Sequence, residues 1–273
     1  MKTIRNYAGV ILILIWGLAP FYWMLITAFR HKSHTFDTTP YPTHVTLDNF
    51  TEALATNAGN DFLGAIGNSL LVGAVTTVLA VAVGVFTSYA LARLDFPGKG
   101  FVTGIILAAS MFPGIALVTP LFQLFGNLEW IGTYRALIIP NISFALPLTI
   151  YTLTSFFRQL PWELEEAARV DGATRGQAFR LVLLPLAAPA LFTTAILAFI
   201  ATWNEFMLAQ QLSTNATEPV TVAIARFSGP NSFEYPYASV MAAGALVTVP
   251  LIIMVLVFQR RIVAGLTAGG VKS

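Results

Sequence analysis

Apolar residues gather into six long runs, at about residues 9–29, 69–92, 102–125, 136–157, 187–210 and 238–258. A hydrocarbon layer needs roughly 20 apolar residues at 1.5 Å each, so every run is long enough to cross one. Inside lipid each backbone polar group has to be satisfied within its own segment, which makes the runs helices. The pattern predicts an all-α polytopic membrane protein with six transmembrane helices. Seven prolines fall in or beside these runs: Pro20, Pro113, Pro120, Pro140, Pro147, Pro189 and Pro250. Each removes a helix hydrogen bond and favours a kink, although proline is also common in membrane helices.

Polar residues concentrate between the fourth and fifth runs, from Arg158 to Leu184. Pro161 suits the first position of a helix, where no donor is needed. Glu163, Glu165 and Glu166 follow where the helix dipole favours anions. Leu164, Ala167 and Ala168 are spaced by three and four and predict one small apolar face. Asp171-Gly172 should stop this helix, with Gly172 left-handed. Thr174 then opens a second helix, and Gln177 three residues on completes a capping box. Phe179, Val182 and Leu183 give that helix its apolar face, and Pro185 introduces the next span. The segment reads as a helix-turn-helix lying against a membrane face. An amphipathic interfacial linker has the same composition.

Composition supports lipid as the main solvent. Of 273 residues, 56% are hydrophobic and 10% charged, against about 25% charged in soluble domains. Mean hydropathy is +0.72. There is no cysteine, which excludes disulfides and thiolate metal sites. A net charge of +2 gives no argument for nucleic acid. The first run follows Lys2 and Arg5, contains Trp16, Pro20 and Trp23, and lacks a small-x-small cleavage site, so it reads as a retained span. With the N-terminus inside, eleven of the fifteen Lys and Arg fall on the inner side. Both termini and the polar insert are therefore expected in the cytoplasm. The other segments are a long outer one at 30–68 with a weakly amphipathic piece, Leu47 to Leu54, a short basic loop at 93–101, and an outer loop at 212–237. His31, His34 and His44 share the first outer segment, but no acid or cysteine stands at helpful spacing, and no metal site is expected.

Glu166-Ala167-Ala168-x-x-x-Gly172, then nine residues, then Val182-x-Leu184-Pro185, resembles the EAA loop of permeases in binding-protein-dependent ABC importers. The extension through Asp171-Gly172-Ala173, Phe179 and Pro189 is similar to the sugar importers of that family. Val182 stands where isoleucine is usual. Trp203-Asn204-Glu205-Phe206 and the ending Gln259-Arg260-Arg261-Ile262-Val263-x-Gly265-Leu266-Thr267 resemble the maltose-type permeases. Arg93-Leu94-Asp95-Phe96-Pro97-Gly98-Lys99 and Phe144-Ala145-Leu146-Pro147-Leu148 are most similar to the trehalose-importer permeases.

The resemblance implies a type I ABC importer permease fold in the cytoplasmic (inner) membrane. It implies an N-terminal helix and outer loop at 1–66, a transport core at 67–262 containing the coupling loop at about 158–186, and a tail at 263–273. It also implies partners: a second permease of different sequence, two cytosolic ATPase subunits that bind ATP and Mg, and an external sugar-binding lipoprotein or periplasmic protein. The chain has no Gly-x-x-x-x-Gly-Lys-Ser/Thr, since its Gly98-Lys99 is followed by Gly100. It is thus expected to be neither an enzyme nor the holder of a cofactor. Glu165, Glu166, Ala167, Ala168, Asp171, Gly172 and Ala173 are the expected ATPase-docking surface, with Arg175 and Arg180 in support.

Glu205 is the one acid within an apolar run, and a mid-membrane charge costs about 2.5–3.5 kcal/mol on insertion scales. It fits a sugar pathway with Trp203 and Asn204, or an interhelical hydrogen bond, or a place near the outer interface. Gln123, Asn141 and Tyr151 are further pathway candidates, although packing or an interfacial place is the simpler explanation of each alone. Asn231, Phe233, Tyr235 and Tyr237 suit contact with the external binding protein, as would any capped loop.

Overall fold

The computed structural model describes residues 2–55, 61–227 and 235–270. Its regular elements are helical, and the one β pairing among the described residues is an isolated antiparallel bridge between Arg30 and Val45. The long helices are α1 (Lys2–Ala28), α3 (Phe62–Arg93), α6 (Tyr134–Gln159), α10 (Ala188–Trp203) and α13 (Tyr237–Gly270). Shorter ones are α2 (Asp48–Leu54), α4 (Lys99–Ser110), α5 (Val118–Asn127), α7 (Glu163–Val170), α8 (Arg175–Ala178), α9 (Leu184–Leu186), α11 (Met207–Leu212) and α12 (Val220–Ala225).

Four single helices are long and apolar enough to cross a membrane: Gly9–Ala28, Phe62–Arg93, Tyr134–Gln159 and Tyr237–Gln259. Two bent pairs bring the number to six if each is one span. The first differs from the continuous third helix expected over 102–125. It runs from Lys99 to Ser110 and then from Gly114 to Asn127, with a bend of 89°. Pro113 stands in the break in extended conformation. The second pair joins Arg175–Leu186 to Ala188–Trp203 at 70°. The fifth apolar run therefore does not continue to residue 210, because its helix ends at Trp203. Pro140 and Pro147, by contrast, lie inside unbroken α6.

The chain divides into two compact units, residues 1–66 with 222–252, and 67–221 with 253–273. In the first, Arg30 is fully buried at the end of α1. Its guanidinium donates to the carbonyls of Asp37 and Thr39 and lies 5.2 Å from the Trp23 ring. The Asn49 amide on α2 donates to the Ala28 and Arg30 carbonyls at 2.8 and 2.7 Å. Glu52 receives Lys32 at 2.8 Å and the Ser239 hydroxyl at 2.8 Å, which fastens the outer segment to the start of α13. The Asn49 amide thereby supplies donors to carbonyls at and just past the end of α1, which the helix itself leaves unpaired.

The second unit is built on α3, α6 and α10. A Cβ at Gly73 would come 2.8 Å from the Phe199 ring, so the missing side chain on α3 makes room for that ring of α10. Val85, Leu153, Phe157, Phe179, Leu183 and Ala187 form its core, so the helix leading out of the polar insert is anchored among the spans.

Candidate functional site

The insert folds as two short helices around a glycine turn. α7 begins at Glu163 with Trp162 as its cap residue, so Pro161 precedes the cap instead of opening the helix. Carboxylates at 163, 165 and 166 still occupy the first turn, where four backbone N–H groups lack partners. At the far end Gly172 has φ 91°. Its N–H donates to the Arg169 carbonyl at 3.1 Å, and the Ala173 N–H reaches back to Ala168 at 3.0 Å. That pair of bonds is a Schellman ending, and it requires a left-handed residue at 172. Thr174 and Gln177 form the capping box: the Thr174 hydroxyl accepts from the Gln177 N–H, and the Gln177 amide oxygen accepts from the Thr174 N–H at 2.7 Å.

The helix phase differs from the expected one. Leu164, Glu165 and Ala168 turn inward, while Glu163, Glu166, Ala167 and Val170 point outward. The outward set follows the i, i+3, i+4, i+7 spacing of a single helix face. Val170 at its end is 86% exposed. Ala167 and Ala168 thus fall on different faces. Asp171, Gly172, Arg175 and Arg180 are exposed, and Ala173 is half-buried. The exposed side chain of Leu181 adds a second apolar group. Val170 and Leu181 had no assigned part in the sequence pattern. The signal for Val170 was its place one turn past Glu166 and Ala167.

Glu165 needs correction as a surface residue. It is 6% exposed, and its Oε1 accepts the Tyr89 hydroxyl at 3.1 Å. Tyr89 also contacts Phe179 and Phe157, with ring centroids 4.6 and 6.3 Å away. Beside it, buried Arg93 donates to the Leu160 carbonyl at 2.6 Å and lies 4.4 Å from the Trp162 ring. Two residues in the last turns of α3 therefore hold the insert at its start, at Leu160, Trp162 and Glu165. Sequence spacing could not reveal this, because Tyr89 and Glu165 are 76 positions apart.

The pathway candidates scatter. Trp203 is 2% exposed and stacks on Phe199 at 5.7 Å, so its ring presents no free face. Asn204 is exposed, but its amide donates to the Ile200 carbonyl at 2.8 Å. Glu205 lies in the break before α11, outside the span helix. Its two carboxylate oxygens accept the N–H groups of Leu208 and Ala209 at 2.8 and 2.9 Å. Its side chain caps the first turn of α11, and among the described residues it makes no interhelical bond of the expected kind. Glu205 and Asn141 both line a cavity of about 250 Å³ with Gly114, Phe144 and Thr202. Gln123 is exposed on α5, and Tyr151 is 65% exposed on α6 beside a different cavity. On the outer segment, Tyr235 and Tyr237 are exposed, pack edge to face at 4.7 Å, and are joined by Phe36. Asn231 and Phe233 lie outside the described residues. His34 stacks on His44 at 4.5 Å and bonds Asp37 at 3.0 Å. No group of three metal-ligating side chains occurs among the described residues.

Residues 80–267 match the profile of the family described as binding-protein-dependent transport system inner membrane component. The chain belongs to that family. The permease is 48% identical over 262 residues to the trehalose transport system permease protein SugB of Mycobacterium tuberculosis (strain CDC 1551 / Oshkosh), covering 96% of this chain and 94% of the relative. It is 41% identical over 274 residues to the trehalose/maltose transport system permease protein MalG of Thermococcus litoralis, covering 100% and 98%. Its fold matches a chain in the crystal structure of a bacterial ABC transporter involved in the import of the acidic polysaccharide alginate. There the TM-score is 0.74 at 22% identity, with 95% of each chain covered. The permease is accordingly an all-α, multi-pass inner-membrane protein with the type I ABC importer permease fold.

Proposed function

We propose that this permease is the membrane subunit of an ATP-driven importer that moves a disaccharide, trehalose, through alternating access. The observation that carries the reading is the outward face of the insert. Glu163, Glu166, Ala167 and Val170 stand clear of the spans, followed by the Gly172 turn, while Glu165 and Arg93 tie the same segment to α3. Such a segment has one side for a partner and one side fixed to the transport core. An interfacial linker needs no such division.

In this reading two cytosolic ATPase subunits bind ATP and Mg, and one docks on the insert; both termini are cytoplasmic. A second permease of different sequence completes the path, and an external sugar-binding protein delivers the sugar near Tyr235 and Tyr237. ATP-driven closure moves the insert only if the ATPase binds its two positions with different affinity. Trehalose is supported by the two relatives named for its transport, and the trehalose/maltose relative makes maltose the second reading.

The test compares two substitutions at Gly172. A methyl there meets nothing within 4 Å, so Gly172→Ala adds only left-handed strain, about 1–2 kcal/mol. Gly172→Glu adds bulk and charge to the docking surface. The ATPase should co-purify with the Gly172→Ala complex and be lost from Gly172→Glu. Co-purification and uptake that survive Gly172→Glu would defeat the docking assignment.

A further inference from the structure

One side of α6 is exposed along its length: Phe144, Leu148, Tyr151 and Ser155 follow at intervals of four, three and four. Towards the insert this side meets a cavity of about 450 Å³ between the end of α3, α4 and α6. Leu91, Ile106, Leu107 and Ile150 make its apolar wall. Opposite them Tyr151, Thr154, Ser155, Arg158 and Gln159 bring a phenol ring, two hydroxyls, a guanidinium and an amide.

Two observations say that this space takes a ligand. Arg158 makes no ion pair within 4 Å among the described residues. The volume falls in the range of about 300–1,000 Å³ that ligand pockets occupy, whereas the space beside Asn141 and Glu205, at about 250 Å³, does not.

The lining selects the chemistry. No acid lines the cavity, so a cation has no ligand there. A single guanidinium among neutral groups is a poor trap for a strong anion. Hydroxyl, amide and guanidinium donors beside an aromatic ring and an aliphatic wall match a sugar, whose hydroxyls need hydrogen bonds and whose C–H faces need apolar cover. We infer that this cavity is a disaccharide subsite at the insert end of the transport path, holding sugar before release. The inference rests on the importer reading. It moves the sugar contacts from Trp203, Asn204 and Glu205 to Tyr151, Ser155 and Arg158.

The absence of cysteine makes the test direct. Ser155→Cys places one thiol at the cavity rim, and Leu256→Cys places a control thiol on the exposed side of α13. Each is assembled with its partner permease, ATPases and binding protein in vesicles, with the partners' own thiols removed. Maleimide labelling at position 155 should slow at least about fivefold with saturating trehalose, but not with mannitol, and labelling at position 256 should not change. Tyr151→Phe keeps the ring and removes the hydroxyl. It should raise the half-protecting trehalose concentration by roughly two- to thirteenfold, the range for one neutral hydrogen bond. Labelling unaffected by trehalose or maltose in a complex that imports them would overturn the subsite while the importer reading stands. Slowing by phosphatidylglycerol over phosphatidylcholine, in place of sugar, would overturn it in favour of a lipid headgroup. Protection by trehalose in a complex that imports no disaccharide would support the subsite and sink the importer reading.

Discussion

Tyr89→Phe tests how the insert is held. The substitution removes one oxygen and leaves the ring, so contacts with Phe157 and Phe179 persist. What disappears is the donor to Glu165 Oε1, 3.1 Å away. The carboxylate is 6% exposed and its other oxygen already has no partner among the described residues. It would then be buried with neither oxygen bonded. A hydrogen bond to a charged group contributes about 1.5–3 kcal/mol, which at 1.4 kcal/mol per decade is roughly a 10- to 150-fold rise in opening of α7. Hydrogen exchange at the amides of residues 167–171 should accelerate by that factor, while amides in the middle of α6 stay unchanged. ATP hydrolysed per sugar imported should rise as well, because a loosened insert transmits less of the ATPase motion. Exchange within twofold of the unsubstituted permease would show that the Tyr89–Glu165 bond does not hold the insert.

Glu205→Ala removes both acceptors from the start of α11 and should lower stability by about 0.5–2 kcal/mol, the usual loss at a helix cap; a thermal midpoint in detergent reads it, and Glu205→Gln should fall between. If Glu205→Ala instead abolished uptake with an unchanged midpoint, the capping role would be wrong. Gly132→Ala meets two obstacles, a φ of 78° and a Cβ only 2.7 Å from the Thr214 side chain. Left-handed strain of about 1–2 kcal/mol and overpacking of about 1–3 kcal/mol should lower the midpoint more than Gly172→Ala does, where the space is open.

The spans and the insert were legible because lipid and helix ends impose local rules. A run of twenty apolar residues, a glycine where φ must be positive, and Thr174 three residues before Gln177 each carry their own reason. Pro113 shows where that stops. It stands at an 89° break, while Pro140 and Pro147 sit in a continuous helix, and the residue type alone cannot separate the two outcomes. The orientation of α7 was hidden for a different reason. Glu165 and Glu166 are chemically alike, and only Tyr89, far away in sequence, makes one inward. Trp203-Asn204-Glu205 suggested sugar binding as a set of residue types, but folding spends the tryptophan on packing and the carboxylate on a cap.

The most direct measurement is uptake of labelled trehalose into vesicles that contain the permease with its partner permease, ATPases and binding protein, beside vesicles with the permease alone. The account predicts accumulation that requires enclosed ATP at the ATPase side and vanishes with Gly172→Glu. Uptake by the permease alone, without any ATPase, would contradict it.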